Sequence, residues 1–161
     1  MNVINSQKGF TVVELMVVMV VALIILTVGV PAYSSMIHKN RLSTTVNDFS
    51  VFLQISRSYA IQANRSVTIS PVDPAADDEW GKGAVARNSD NSEIARFDTD
   101  GLLKIDSLNK NISSIKINSR GYLSSAFDDV LTICSESDET LKGRQIAINI
   151  VGRLQKSDFD C

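Results

Sequence analysis

Between Leu15 and Val30 the chain runs for sixteen residues without a charge, and nearly all of them are apolar. Such a stretch cannot rest against water and has to be covered by lipid or by other protein. Phe10–Ala32, its outer limits, is 23 residues long. A helix needs about 20 apolar residues to cross a bilayer. One residue breaks the pattern: Glu14, at the head of the run. A carboxylate at hydrocarbon depth costs about 2.5–3.5 kcal/mol at mid-helix, so an ionisable group there calls for a function. A secretory signal peptide cut near Val30-Pro31-Ala32 is at odds with Glu14, and a plain signal anchor oriented by Lys8 leaves it unexplained.

Beyond Ala32 the periodicity persists. Met36, Ile37, Leu42, Val46, Phe49, Phe52, Leu53, Ser56, Tyr59, Ala60 and Ala63 recur at three- and four-residue steps. That spacing predicts an amphipathic helix, with Lys39, Arg41, Asn47, Asp48, Gln54 and Arg57 on its other face. One helix over Phe10–Ala63 is the expectation, with Gly29 and Pro31 marking where it would kink. Asn64 is placed to end it.

The remainder is polar and broken by turns. Short β-prone stretches are expected at Ser66–Ser70, Gly83–Arg87, Glu93–Asp98, Leu103–Ile105, Ile112–Asn118, Val130–Cys134, Arg144–Ile150 and Arg153–Gln155. The last two read as a hairpin turned at Val151-Gly152, followed by a tail. The expected fold is therefore α+β, a long N-terminal helix packed on a C-terminal antiparallel β-sheet domain. Trp80 is expected beneath a loop in the core, and Asp98/Asp100 in a simple turn rather than a metal loop.

The two cysteines, Cys134 and Cys161, read as one disulfide in an exported chain; the alternative is two thiols in a reducing compartment. A closed loop of about 28 residues is worth roughly 3–4 kcal/mol in the chain-entropy model. A net charge of −2 excludes a globally basic nucleic-acid binder. The domain-sized portion Asn64–Cys161 holds 12 Lys/Arg against 16 Asp/Glu.

Lys8-Gly9-Phe10-Thr11-Val12-Val13-Glu14 resembles the class III signal of type IV prepilins and pseudopilins. The resemblance implies cleavage between Gly9 and Phe10 by a prepilin peptidase, with N-methylation of Phe10. It also makes Glu14 the fifth residue of the mature chain and Pro31 the helix-kinking proline of the family. An α-amine near its reference pKa of about 7.7–8.0 would then lie at the membrane surface. Glu14 of an adjacent subunit could pair with it and set register, and low dielectric would strengthen the pair. Phe10 and Glu14 of one chain are also a helical turn apart, so a self-paired monomer is the alternative.

The domain resembles the GspH/FimT family of minor pilins and pseudopilins. The matching features are Asn64-Arg65 before Val67–Ile69, Glu79-Trp80-Gly81, and Phe97 with Gly101. Ser119-Arg120-Gly121-Tyr122-Leu123, Thr132-Ile133-Cys134, Gly143-Arg144-Gln145-Ile146 and Val151-Gly152-Arg153-Leu154 follow in order. Departures are the acidic clusters Asp77–Glu79 and Asp158–Asp160. The implied organisation is a leader over 1–9, a transmembrane and assembly helix over 10–32, its amphipathic continuation over 33–63, and a β-rich domain over 64–161.

The implied function is that of a non-catalytic subunit joining or capping a type IV pilus or a type II secretion pseudopilus. Its expected partners are other pilin-like subunits, the prepilin peptidase, the inner-membrane assembly platform and inner-membrane lipid. The expected location is the inner membrane, crossed once with the N-terminus cytoplasmic and the domain periplasmic, and then the filament. The alternative is a minor pilin for DNA uptake, using Lys142, Arg144, Arg153 and Lys156, which have no acid among them. No nucleophile–base pair, metal-ligand cluster or phosphate loop is recognisable, so neither enzyme activity nor a cofactor is expected.

Overall fold

The first element among the described residues is a helix whose first turn is capped from within. Thr11 Oγ1 accepts the Glu14 N–H at 3.2 Å, and the Thr11 carbonyl accepts the Leu15 N–H at 3.2 Å. A threonine at this position satisfies a helix-terminal donor that would otherwise have no partner. The helix, α1, spans Val12–Gln62. At its far end Asn64 takes a positive φ of 52°. The Arg65 N–H then donates to the Ala60 carbonyl at 3.1 Å and the Asn64 N–H to the Ile61 carbonyl at 3.3 Å. This is the paired closure of a Schellman cap.

The computed structural model describes residues 9–73, 80–99, 101–108, 114–124, 130–135 and 142–161; the side chains of residues 28 and 30–32 are outside that description. The leader residues 1–8, the Pro31 side chain, Asp77–Glu79, Asp100 and the acidic run 136–139 therefore lie outside the described residues. The chain divides into two compact units, Met1–Ile37 and His38–Cys161.

In the first unit the apolar side chains from Phe10 to Leu26 are exposed. Val21 is the least exposed large apolar residue between Phe10 and Leu26, and it is still 49% exposed. Met36, counted by periodicity with the buried face, is 61% exposed. Burial on that face begins only within the second unit, at Leu42.

Among the described residues the second unit carries eight strands: β1 (Val67–Pro71), β2 (Ala84–Asn88), β3 (Glu93–Phe97), β4 (Leu103–Ser107), β5 (Ile115–Ile117), β6 (Val130–Ser135), β7 (Gly143–Ile148) and β8 (Leu154–Phe159). They form two antiparallel sheets of four, ordered β3-β2-β1-β5 and β4-β6-β7-β8. The architecture is α+β, with the β domain split between two sheets.

Alternation sets which side of each strand is buried. Val67 and Ile69 of β1, Ile115 and Ile117 of β5, Leu103 and Ile105 of β4, and Leu131 and Ile133 of β6 enter one core with the helix residues Val46, Phe49 and Ala60. Phe49 is the hub. Its ring centroid lies 5.2 Å from that of Phe97 and 6.3 Å from that of Trp80, both edge-on, and 6.1 Å from that of Phe52. Trp80 is buried, in keeping with a core role. Ser56, also buried, donates its hydroxyl to the Phe52 carbonyl at 2.8 Å, so its polar group is satisfied within the helix.

The C-terminal segment departs from expectation. Residues after Gln155 were read as a tail, yet β8 continues to Phe159, pairing Gly143 with Phe159 and Ile148 with Leu154. The reason is register. The turn closes over Asn149–Gly152, with the Gly152 N–H donating to the Asn149 carbonyl at 2.8 Å, the Asn149 N–H to the Arg153 carbonyl at 3.1 Å and the Arg153 N–H to Asn149 Oδ1 at 2.8 Å. Gly152 takes the left-handed conformation at φ 75°, the pattern of a hairpin closed by a glycine bulge. From there every β8 residue finds a β7 partner, although few of its side chains are buried.

Candidate assembly surfaces

The N-terminal motif places Phe10 just before α1, 78% exposed, and Glu14 in its first turn. Glu14 thus occupies the third helical position after the Thr11 cap, where a negative charge also complements the helix dipole. Sequence reasoning assigned Glu14 a registering role and missed this local one; the signal was Thr11-Val12-Val13-Glu14, which has the capping-box spacing. Among the described residues no helix is long and apolar enough to cross a membrane. The described side chains of the apolar run stop at Thr27, before the undescribed position 28.

In the domain, Cys134 and Cys161 are joined by a disulfide. Cys134 lies on β6 and Cys161 follows β8, so the bond ties together two strands that flank β7. It passes over Gly143, the first residue of β7. A β-carbon there would lie 2.6 Å from the Ile133 carbonyl oxygen and 3.0 Å from Cys134 Sγ, and would also collide with Cys161 Sγ.

Two of the four basic residues offered as an alternative nucleic-acid face meet carboxylates. Arg144 stands opposite Asp158 across the β7–β8 ladder and pairs with it at 2.7 Å. Lys142 lies 4.0 Å from Asp160. The acidic tail, drawn into β8, neutralises the first half of the basic run. Arg153 and Lys156 line a trench beside the helix. Lys156 Nζ donates to Asn47 Oδ1 at 2.9 Å.

These two residues meet a third cation that sequence reasoning left on the polar helix face. Arg57 lines the same trench, along with Ser50, Gln54 and Ser58 of α1. The trench has a volume of about 610 Å³. No sequence pattern flags Arg57, because its surroundings come from Gly121 and Gly152, far along the chain.

Ordinary surface ion pairs occupy the other sheet. Arg65 meets Asp90 at 3.1 Å, and Arg96 meets Glu93 at 3.0 Å. Hydrogen bonds from Ser92 hold the Asp90 carboxyl below its usual range, and the Arg96 guanidinium does the same for Glu93. Among the described residues no group of three His, Cys, Asp or Glu side chains could hold a metal ion.

Comparison with known proteins places this arrangement. Residues 4–30 match the prokaryotic N-terminal methylation motif, and residues 45–152 match the family described as type II transport protein GspH. No curated protein matches the chain at a significant level. Among solved structures, the type IV minor pilin FimU of Pseudomonas aeruginosa is 22% identical, with a TM-score of 0.59 over 74% of this chain and 90% of that one. The minor pseudopilin EpsH of the Vibrio cholerae type 2 secretion system is 12% identical, with a TM-score of 0.52 over 73% of this chain and 97% of that one. The fold is that of these pilin-like subunits, and the chain belongs to the GspH family, with a type IV pilin methylation motif at its N-terminus.

Proposed function

We propose that the protein is a minor subunit of a type IV pilus or type II secretion pseudopilus, processed between Gly9 and Phe10 and inserted into the filament by its N-terminal helix. The observation that carries this reading is the uncovered, largely apolar surface from Phe10 to Leu26, whose one charge is Glu14. A surface of that extent on a lone chain marks an interface with lipid or protein. The methylation motif over the same residues favours both in turn: the inner membrane first, then neighbouring helices. The reading gives Phe10 an N-methylated amine and Glu14 the role of pairing with the amine of an adjacent subunit. Pro31 would relax the helix during transfer. The partners are other pilin-like subunits, the prepilin peptidase and the inner-membrane assembly platform, with the N-terminus cytoplasmic and the β domain periplasmic.

Minor rather than major status rests on the family and on the fold neighbours, a minor pilin and a minor pseudopilin. Nucleic-acid capture through Lys142, Arg144, Arg153 and Lys156 is the less favoured reading, because Arg144 and Lys142 face Asp158 and Asp160. Quantitative proteomics of sheared filaments tests the assignment. A mature chain starting at Phe10, present at a small fraction of the main subunit, is expected. An intact Met1 in filaments, or this chain as the most abundant subunit, overturns it.

A further inference from the structure

We propose that the trench between α1 and β8 is a docking groove for an extended acidic segment of a neighbouring pilin-like subunit, with Arg57 and Arg153 holding its carboxylates. The proposal deepens the minor-subunit reading and rests on it.

Arg57 is the central observation. Its stem is bedded between two glycines in the left-handed conformation, Gly121 at φ 80° and Gly152 at φ 75°. A β-carbon at Gly152 would lie 3.4 Å from Arg57 Cδ and Nε, and one at Gly121 would lie 3.0 Å from Nε. The bed fixes the side chain, so little conformational freedom remains to be lost on binding. Arg57 Nε is nevertheless buried without a hydrogen-bond partner. Buried donors are nearly always paired, so this orphan marks Arg57 as a guanidinium whose hydrogen-bonding capacity is unfilled among the described residues.

The neighbouring cations point to an anion. Among the described residues Arg153 forms no side-chain hydrogen bond or ion pair, and Lys156 donates only to a neutral amide, Asn47 Oδ1, at 2.9 Å. Arg65, Arg96 and Arg144, by contrast, each face a carboxylate. Arginine forks match carboxylate geometry with two parallel hydrogen bonds.

The shape favours a peptide. The wall opposite the helix is β8, the last strand of its sheet, paired on one side only. An edge strand offers free backbone donors and acceptors, which an extended segment can use by adding a strand. A trench of about 610 Å³ is of ligand-pocket size, and Ile61 and Leu154 add apolar lining. Nucleic acid fits less well. A duplex carries one charge per about 1.7 Å and needs a long basic track. Here the track ends where Arg144 and Lys142 meet Asp158 and Asp160.

The test is amide and arginine side-chain NMR of the full chain in detergent micelles, titrated with a capped hexaglutamate peptide and, separately, a single-stranded oligonucleotide. Saturable shifts at Gly152–Lys156 and at the Arg57 Nε–H are expected with hexaglutamate, at least tenfold weaker in R57Q and in R153Q. R153Q alters an exposed residue and keeps the test decisive if R57Q fails to fold. Absence of saturable shifts, shifts insensitive to R153Q, or equally tight oligonucleotide binding at the same residues overturns the proposal. None of these results bears on filament abundance, so the minor-subunit reading is judged separately.

Discussion

The sulfur of Cys161 occupies the space that a β-carbon on Gly143 would need. The disulfide from Cys134 to Cys161 therefore passes over the start of β7 only because position 143 carries no side chain. Gly143→Ala should prevent the bond from closing or push β7 out of register. Thiol labelling without reductant should find two free cysteines in the variant and none in the parent. Loss of the crosslink should cost about 2–4 kcal/mol in unfolding free energy.

Glu14 combines a local and an intermolecular role, and two substitutions separate them. Gln at this position can still serve a helix cap but carries no charge. Glu14→Gln should keep the helix and membrane insertion yet lose filament incorporation. Glu14→Val should insert at least as well as the parent, because an apolar residue replaces a charge. Immunoblots of membrane and sheared-filament fractions report both. Normal incorporation of Glu14→Gln would show that the charge is not what registers the subunit.

Phe49 holds the helix to the domain through ring contacts with Trp80 and Phe97, touches Phe52 of its own helix, and is 1% exposed. Phe49→Ala leaves a cavity between α1, Trp80 and Phe97. The expected loss is about 3–5 kcal/mol, typical of buried phenylalanine truncation. Denaturant unfolding followed by Trp80 fluorescence should show it as a lower midpoint.

Asp90 and Glu93 titrate below their usual values of 3.8 and 4.5 in the folded state. Unfolding returns both to their ordinary values, so the unfolded chain binds more protons in the window beneath them. Their stabilisation is present above pH 4.5 and is lost as the pH falls through the lowered folded-state values. Both groups are fully exposed, so the effect is small. Melting temperatures measured from pH 5 down to about pH 2 should fall less steeply for an Asp90→Ala, Glu93→Gln variant than for the parent.

Whatever depends on order along the chain was open to reading. The uncharged run after Glu14, the three- and four-residue steps from Leu42 to Ala60, and the alternation in Ile146–Ile148 are one-dimensional patterns. They report helix, strand and buried face directly, because side-chain direction repeats with the backbone period. The β-prone stretches accordingly fall near the strands that stand among the described residues. What the pattern could not carry is which distant segments share a neighbourhood. The division of those strands between two sheets follows from pairings such as Val67 with Ile117, across which periodicity has no reach. The fate of the basic run followed the same rule. Its charges are adjacent in sequence, but strand register put Asp158 opposite Arg144, while helix packing carried Lys156 to Asn47, 109 residues away. Charge acts through space, so composition alone set the net charge of the hairpin, and only the tertiary fold decided that Arg57 and Arg153 would line one trench with no carboxylate paired to either among the described residues.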